Sequence, residues 1–365
     1  MVGVIYLGFS YQQSNYSFKS SWYTASIINA AVSPETQILN SLTLEQKVGQ
    51  LFMVGIDSQD TNQAKQFIQH YPVGGIILLT KNFQGENQTR NLITELQSAS
   101  KTTVAIPLLI SVDQEGGTVS RIPFSNIDQT SQAEIISPAQ AYTIAKQRGE
   151  ELKNLGITIN LAPVLDVIKN QQSFLYPRTF QGEVQKISSL GVMSVQGYHD
   201  AGILSCVKHF PGHGDALTDP HTTTSINTQT TQEIQNNLQP FAEAISAQVP
   251  CIMVGHVIDT AITNTPASQS PEIISLLRSQ EKFNGVIITD DLEMVAAHPN
   301  QTIAQASLAA LQAGADMVLI SGYTTTQQER EQIIQEVTKK IEAGALTQTQ
   351  LDEKVLRILE IKHLE

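Results

Sequence analysis

Short apolar runs alternate with longer segments of mixed polarity along most of the chain. From about residue 41 onward there are eight such runs, each rich in β-branched residues and nearly continuous in apolarity. Strands of a parallel sheet that are buried on both faces have this pattern. We therefore predict eight buried parallel strands: LFMVGI (51–56), GGIILL (74–79), PLLISV (107–112), ITINLAPVL (157–165), ILSCVKHF (203–210), PCIMVGH (250–256), GVIITD (285–290) and ADMVLIS (315–321).

The segments between these runs carry apolar residues at helical spacing. Several of them, such as SPAQAYTIAKQRGEELKNLG (137–156), end in a glycine just before the next strand, which is a common helix stop signal. Eight strand–helix units in succession predict an α/β fold, a (β/α)8 TIM-type barrel rather than a doubly wound sheet. Two further helices, 326–343 and 348–363, are predicted after the last strand. We expect residues 41–365 to form a single catalytic domain.

Residues 1–40 differ from the rest of the chain. Their only charged side chains are Lys19 and Glu35, and they are rich in Ser, Tyr, Asn and Gln. We predict a poorly ordered linker or tail. The opening apolar run is short, and no basic residue precedes it as one would in a secretory signal peptide. The alternative is that the segment is the remnant of an export signal or anchor. The compartment is unknown from the sequence, and we favour an extracytoplasmic location, exported or tethered through this segment, over the cytoplasm.

The charge balance excludes several classes of partner. The chain has 22 Lys and Arg against 34 Asp and Glu, a net charge of −12. Proteins that bind nucleic acid or anionic membrane surfaces use clusters of basic residues, so we expect neither partner. No apolar stretch reaches the 18 residues of a membrane-spanning helix. We expect a monomer.

The two cysteines, Cys206 and Cys251, both lie inside predicted strands. A cysteine in such a position behaves as a small apolar side chain. We therefore expect two buried thiols, with a structural disulfide as the alternative. Their spacing does not match a metal site.

Ionisable residues gather where the predicted strands end. The third strand runs into SVDQEGGTVSR (111–121), the fifth into VKHFPGHGD (207–215) and the seventh into ITDDLEM (288–294), whereas the strand interiors are aliphatic. The active site of a (β/α)8 barrel lies at the C-terminal ends of its strands. We therefore predict a catalytic site at this end of the barrel.

Three of the eight histidines lie between residues 209 and 221. His209 and His213 are four residues apart, as zinc ligands on one helix face are, but Pro211 excludes a helix and no HExxH glutamate is present. We expect no metal. Asp219 precedes His221 by two residues, so in an extended segment the carboxylate could orient the imidazole; a pair of ordinary surface side chains is the alternative.

Asp290 and Asp291 follow the seventh predicted strand. Because side chains alternate along a strand, we expect only one of them to face the barrel mouth. The pattern does not show which of the two aspartates faces the mouth. A carboxylate in that position suits a nucleophile or an electrostatic stabiliser of positive charge.

These motifs together carry a resemblance. DQEGG (113–117), KHFPGHGD (208–215), the Asp-x-His of 219–221 and TDDLEM (289–294) resemble glycoside hydrolase family 3, in particular its NagZ-type β-N-acetylglucosaminidase (β-hexosaminidase) branch. The resemblance implies that Asp290 is the nucleophile, His221 the general acid/base and Asp219 its orienting partner, and that no cofactor is needed. It also implies that five residues bind the sugar: Asp113, Arg121, Arg178, Lys208 and His209.

The sequence departs from the family pattern in three places. Thr118 and Ser120 stand where Arg and Gln are usual, YPRTF (176–180) replaces a GDRSF-like segment, and Pro220 replaces the usual Ser of the Asp-x-His motif. Arg121 and Arg178 are retained. We expect the change at Thr118 to alter loop support or contacts with the leaving group.

The resemblance implies a retaining exo-β-N-acetylglucosaminidase. Such an enzyme would release terminal β-linked N-acetylglucosamine from peptidoglycan- or chitin-derived saccharides through a covalent intermediate on Asp290. Two alternatives stay open. A phosphorylase of the same family is one, because a histidine acid/base repels phosphate less than a carboxylate does. A non-catalytic saccharide-binding barrel is the other.

Overall fold

A computed structural model describes residues 33–57, 61–124, 126–214, 216 and 218–362. Eight parallel strands form a closed barrel in which each strand pairs with its neighbours in sequence and the last pairs with the first. The predicted (β/α)8 barrel is confirmed. The strands are β1 (Phe52–Gly55), β2 (Gly75–Ile77), β3 (Leu109–Val112), β4 (Ile159–Asn160), β5 (Leu204–Phe210), β6 (Cys251–Val254), β7 (Val286–Asp291) and β8 (Met317–Ile320).

Twelve α-helices lie in the described residues, most of them between successive strands. They are α1 (Pro34–Ser41), α2 (Leu44–Gln50), α3 (Thr61–His70), α4 (Glu86–Val104), α5 (Pro138–Leu155), α6 (Val184–Ala201), α7 (Thr231–Asn237), α8 (Gln239–Ser246), α9 (Pro271–Ser275), α10 (Ile303–Ala313), α11 (Gln327–Glu342) and α12 (Gln348–Ile361). The last two confirm the helices predicted after the final strand. No helix in this part of the chain combines the length and apolarity needed to cross a bilayer.

Helix α1 overlaps the segment 1–40 that the sequence assigns to a tail. Its eight residues, Pro34–Ser41, are helical, and Leu39 is buried. Residues 1–32 of the predicted tail lie outside the described residues. The described structure thus includes a helix inside the segment that the sequence assigns to a tail.

Helix α5 shows how local sequence sets the element boundaries. The Ser137 side chain accepts a hydrogen bond from the Gln140 backbone N–H, and Pro138 occupies the first turn, where its missing N–H has no cost. The helix ends at Gly156, whose φ of 91° lies in the left-handed region that favours glycine. Of these signals, the sequence analysis used the terminal glycine.

The fourth strand is shorter than the apolar run that predicts it. Only Ile159–Asn160 pairs as a strand, and a single bridge from Val164 to Lys208 follows it. Pro163 has no N–H to donate to a neighbouring strand, which interrupts the pairing. The run 157–165 is nevertheless almost entirely buried, as predicted.

Cys206 and Cys251 occupy paired positions on β5 and β6. Their Cα atoms lie 4.4 Å apart and the two sulfurs form a disulfide. The expectation of buried side chains is confirmed, but that of free thiols is wrong. Parallel register places the two residues side by side, and this register cannot be read from their separation in sequence.

Long connections at the C-terminal ends of the strands shape the mouth of the barrel. After β3, Gln114–Gly116 and Val119–Ser120 form a small antiparallel hairpin. After β5, the chain reaches Ile226–Asn227, which pairs in parallel with Ile258–Asp259 from the connection after β6. The hairpin carries Glu115, a residue of the site described next.

Candidate active site

A cavity of about 440 Å³ opens at the C-terminal ends of the strands. Seven of the eight residues that the sequence singles out line it, and the eighth, Asp219, is hydrogen-bonded to one of them, His221. The seven lining residues are Asp113, Arg121, Arg178, Lys208, His209, His221 and Asp290. The structure therefore brings together side chains that span nearly 180 residues of sequence.

A buried ion-pair cluster forms one wall of the cavity. Lys208 Nζ lies 2.7 Å from both Asp113 Oδ1 and Glu115 Oε1. Arg178 donates to both Glu115 oxygens, through Nε at 2.9 Å and Nη2 at 2.8 Å. Burial alone would raise the pKa of Glu115, but Arg178 and Lys208 outweigh burial and lower it to about 2. The four side chains thus hold one another in fixed positions.

Glu115 is a site residue that the sequence reasoning missed. Its side chain is 1% exposed and connects the two cationic residues of the wall. A signal was present, because Asp113 and Glu115 are two residues apart and share a face in an extended segment. That spacing could have paired them.

Arg121 has a free hydrogen-bonding donor at the cavity. Its Nε is buried and has no hydrogen-bond partner among the described residues, and the side chain lines the cavity. A buried donor without a partner is unfavourable unless a ligand or water satisfies it. This geometry suits a residue that contacts a polar ligand.

Asp166 organises two histidines, and the sequence analysis did not identify it. The backbone N–H of His209 and its Nδ1 lie 2.9 and 2.8 Å from Asp166 Oδ2. The same groups of His213 lie 2.8 and 3.0 Å from Oδ1. Although burial opposes it, these contacts with the histidines hold the pKa of Asp166 well below its usual value. Both rings therefore donate from Nδ1.

Asp166, His209 and His213 are also the group of described residues that has the geometry to hold a metal ion. The carboxylate is already surrounded by four hydrogen-bond donors, and both Nδ1 atoms are engaged. Burial lowers the pKa of His209 more than Asp166 raises it, so its ring is neutral. Hydrogen bonding accounts for the cluster, and the expectation that no metal is needed stays a prediction.

Asp290 lies at the end of β7 and faces this neutral ring. His209 Nε2 is 3.9 Å from Asp290 Oδ2, and Asp290 Oδ1 accepts the Asp291 backbone N–H at 2.8 Å. Burial alone would raise the pKa of Asp290, but nearby positive charge, including the Lys208 ammonium, and the hydrogen bond from the Asp291 N–H lower it. Asp290 is therefore ionised at neutral pH.

Asp291 is held by other partners. Its Oδ1 accepts the backbone N–H groups of Glu293 and Ser321, and its Oδ2 accepts the Ser321 hydroxyl. Burial and the nearby Glu293 carboxylate raise its pKa to about 7.

Strand alternation does not separate the two aspartates as predicted. Both have atoms at the cavity wall, because the pairing of β7 with β8 shifts register between Ile288 and Asp291. Their partners and their ionisation distinguish Asp290 from Asp291.

His256, at the end of β6, fixes the backbone at these aspartates. Burial lowers its pKa to about 4, so the ring is neutral. Its Nε2 lies 3.0 Å from the Asp291 carbonyl oxygen and its Nδ1 lies 2.8 Å from the Ser268 hydroxyl. The ring therefore donates to the carbonyl and accepts from the hydroxyl.

Asp219 and His221 form a hydrogen-bonded pair at the outer edge of the cavity. His221 Nδ1 lies 2.7 Å from Asp219 Oδ1, and the His221 side chain is 61% exposed. Burial opposes it, but the backbone and ring of His221 lower the pKa of Asp219. The predicted contact is confirmed, although a turn closed by the Thr222 N–H to the Asp219 carbonyl creates it rather than an extended segment.

Glu293, which the sequence analysis also missed, orders the loop that follows β8. Its carboxylate accepts four consecutive backbone N–H groups, from residues 322 to 325, at 2.7–3.2 Å. The Thr325 hydroxyl also donates to it. One buried side chain therefore fixes this rim of the cavity.

Residues 43–361 match the family described as Glycosyl hydrolase family 3 N terminal domain. The chain belongs to glycoside hydrolase family 3. A β-hexosaminidase of Stenotrophomonas maltophilia (strain K279a) is 32% identical over 282 residues, which cover 74% of this chain and 83% of that protein. The chain is accordingly a glycoside hydrolase, and the resemblance found in its motifs is confirmed.

Similar solved structures also include glycoside hydrolases. A glycoside hydrolase family 3 β-N-acetylglucosaminidase from Paenibacillus sp. str. FPU-7 matches with a TM-score of 0.84 and 33% identity, over 89% of this chain and 63% of that chain. M. tuberculosis LpqI matches with a TM-score of 0.82 and 30% identity, over 91% of this chain and 97% of that chain. The chain thus spans less than two thirds of the Paenibacillus protein and nearly all of the mycobacterial one.

Proposed function

We propose that the chain is a retaining exo-β-N-acetylglucosaminidase with its catalytic domain in residues 41–365. The observation that carries the proposal is an ionised Asp290 in a cavity whose outer edge holds the hydrogen-bonded Asp219–His221 pair. A retaining glycosidase needs a nucleophile and a proton donor that flank the scissile bond. Relatives named β-hexosaminidase and β-N-acetylglucosaminidase support the choice of sugar.

The ion-pair wall would bind the terminal sugar. Asp113 keeps acceptor capacity beyond its contact with Lys208, and Arg121 has an unpartnered buried donor. Sugar hydroxyls both donate and accept, so they match a wall of fixed carboxylates and cations. Arg178 is held by Glu115 and would donate outward from a fixed position. Side chains that are fixed before the substrate arrives favour binding, because little conformational entropy is then lost on binding.

Asp290 would form the covalent intermediate. Its carboxylate attacks the anomeric carbon, the bond from that carbon to the departing oxygen breaks, and the glycosyl group becomes attached to Asp290. The departing oxygen takes a proton from His221 Nε2. The Nδ1–H of His221 donates to Asp219, which leaves Nε2 as the atom that carries the exchangeable proton.

Hydrolysis of the intermediate would use the same residues in reverse. Neutral His221 takes a proton from water, whose oxygen attacks the anomeric carbon and releases Asp290. Two inversions at the anomeric carbon give a product with the β configuration of the substrate. The neutral His209 that faces Asp290 would contact the sugar rather than exchange protons with it.

The test follows the configuration of the first product. The chain is incubated with 4-nitrophenyl β-N-acetylglucosaminide, and the anomeric proton of the released sugar is followed by NMR before the anomers equilibrate. We expect the β anomer first, and turnover of an N-acetylglucosaminide well above that of the matched β-glucoside. First appearance of the α anomer, or no turnover by protein that unfolds cooperatively, would contradict the proposal. Asp290→Asn serves as the inactive control.

The same assay separates hydrolysis from phosphorolysis. In a phosphorylase, phosphate instead of water would attack the glycosyl-enzyme and yield a glycosyl phosphate. We expect free sugar whether or not phosphate is present. Substrates made from peptidoglycan and from chitin, compared by kcat/KM, would identify the preferred source of the saccharide.

A further inference from the structure

Tyr323 is an exposed aromatic side chain at the wall of the active-site cavity. It is 81% exposed, and the other large apolar side chains with high exposure among the described residues are Ile136, Ile226 and Val295. Tyr323, which lies in the loop after β8, is the one of these four that lines the cavity. Exposed apolar surface that borders a binding cavity is typical of a contact for a ligand.

The backbone that carries Tyr323 is fixed before any ligand arrives. Its own N–H donates to Glu293 at 2.7 Å, and the N–H groups of the residues on either side donate to the same carboxylate. Thr324, the next residue, also lines the cavity. A tyrosine on a rigid loop offers a large contact area at a small cost in conformational entropy.

Backbone contacts place this loop on the same side of the mouth as the proton donor. The Ala296 N–H, in the segment after β7, donates to the Pro220 carbonyl beside His221 at 3.1 Å. Three residues earlier in that segment, Glu293 binds the loop that carries Tyr323. The segment after β7 therefore contacts both the loop of the proton donor and the loop of the tyrosine.

The ion-pair wall lies on the other side of the barrel. Its residues come from the ends of β3 and β5 and from the connection after β4, and in the barrel order both β3 and β5 are three strands away from β8. In a glycosidase the proton donor stands on the side of the departing group. Tyr323 therefore lies where the remainder of the saccharide would leave.

We propose that Tyr323 forms a binding subsite for the second pyranose ring, the one that contains the departing oxygen. The inference rests on the proposed function and names the residue that selects a saccharide leaving group. The C–H face of a pyranose packs on the negative face of an aromatic ring, and the phenolic hydroxyl can bond a sugar hydroxyl.

The experiment compares two kinds of substrate that differ only in the departing group. N-acetylglucosaminyl β-fluoride has a departing group of one atom, whereas the β-1,4-linked disaccharide and trisaccharide of N-acetylglucosamine fill the proposed subsite. For Tyr323→Ala we expect kcat/KM to fall about tenfold, or ~1.4 kcal/mol, on the oligosaccharides. On the fluoride we expect a change of less than about twofold. Tyr323→Phe should retain most of the activity on both substrates.

Ile136→Ala provides the matched control, because Ile136 is 71% exposed and does not line the cavity. It should leave both substrates unaffected. Equal losses on fluoride and oligosaccharides in Tyr323→Ala would overturn the subsite and indicate a general role of the loop. Unchanged kinetics on the oligosaccharides would overturn it as well. If the wild-type chain does not turn over the fluoride, the proposed function fails instead, and the two failures are thus distinct.

Discussion

His221 Nδ1 lies 2.7 Å from Asp219 Oδ1, and the same carboxylate oxygen accepts the backbone N–H of His221 at 2.9 Å. One carboxylate thus fixes both the ring and the backbone of the residue to which we assign the proton. The arrangement determines which ring nitrogen is left for the substrate. It also leads to a specific kinetic expectation.

Replacing His221 should have an effect that depends on the leaving group. His221→Ala is expected to lower kcat/KM on a natural disaccharide by about 10²–10⁴-fold, because general acid catalysis contributes most when the departing oxygen is basic. Turnover of a nitrophenyl glycoside should fall much less at the first step. Azide, which needs no base, should then accelerate turnover and yield a β-glycosyl azide. Asp219→Ala should show a smaller loss of kcat/KM with the same dependence on the leaving group. Equal losses on all substrates, without azide rescue, would make His221 a binding residue.

Asp290 should be the residue that becomes covalently labelled. A fluorinated, mechanism-based N-acetylglucosamine analogue is expected to add one sugar mass to residue 290, located by peptide mass spectrometry, because Asp290 is the ionised aspartate of the pair. Asp290→Asn should abolish labelling. Asp291→Asn serves as the comparison and should still be labelled. A label on Asp291 would show that the assignment is wrong.

Glu115 should make the fold sensitive to acid. Its folded-state pKa of about 2 is below the usual glutamate value of 4.5, so the unfolded chain binds more protons between those two pH values. Stability should therefore fall as the pH falls through this window. Glu115→Gln should reduce that slope and cost about 3–5 kcal/mol at pH 7, because Arg178 and Lys208 lose their shared buried partner. Urea unfolding at several pH values measures both effects. An unchanged slope in the variant would contradict the account.

Glu293 should control the order of the loop after β8. In Glu293→Ala, four backbone N–H groups lose their acceptor, so amide hydrogen exchange at residues 322–325 should accelerate by at least tenfold. Amides of β8 itself should exchange at unchanged rates. In Glu293→Gln, which keeps one acceptor oxygen, the exchange rates at residues 322–325 should lie between those of the wild type and those of Glu293→Ala. Uniform acceleration across the barrel would indicate global destabilisation instead.

Activity is expected to survive exhaustive chelation. The Asp166 carboxylate is occupied by hydrogen bonds from His209 and His213, which explains its burial without a metal. Asp166→Asn should lower activity strongly, because an amide offers a single acceptor oxygen to four donors. Loss of wild-type activity on chelation with recovery on added zinc would refute this expectation.

The sequence predicts the barrel well because buried parallel strands and helix stops are local signals. The motif residues are also found where the pattern places them, since strand ends converge at one end of a barrel. The supporting residues Glu115, Asp166 and Glu293 were missed for a physical reason. The spacing of Glu115 from Asp113 was a local signal, but its partners Arg178 and Lys208, like those of Asp166 and Glu293, lie on other strands or loops. Only the three-dimensional arrangement shows those partners. The shifted register of β7 likewise defeats a rule that assumes a regular strand.

The proposed nucleophile and the proposed proton donor belong to different kinds of structure. Asp290 lies on a barrel strand against a buried, hydrogen-bonded wall, whereas His221 is exposed on a peripheral turn whose orienting partner is two residues away. During evolution, the segment around residue 221 could therefore be replaced by one with a different proton donor, while the proposed sugar-binding residues of the barrel stayed unchanged. Diversification of the leaving-group chemistry would then demand few compensating changes in the core.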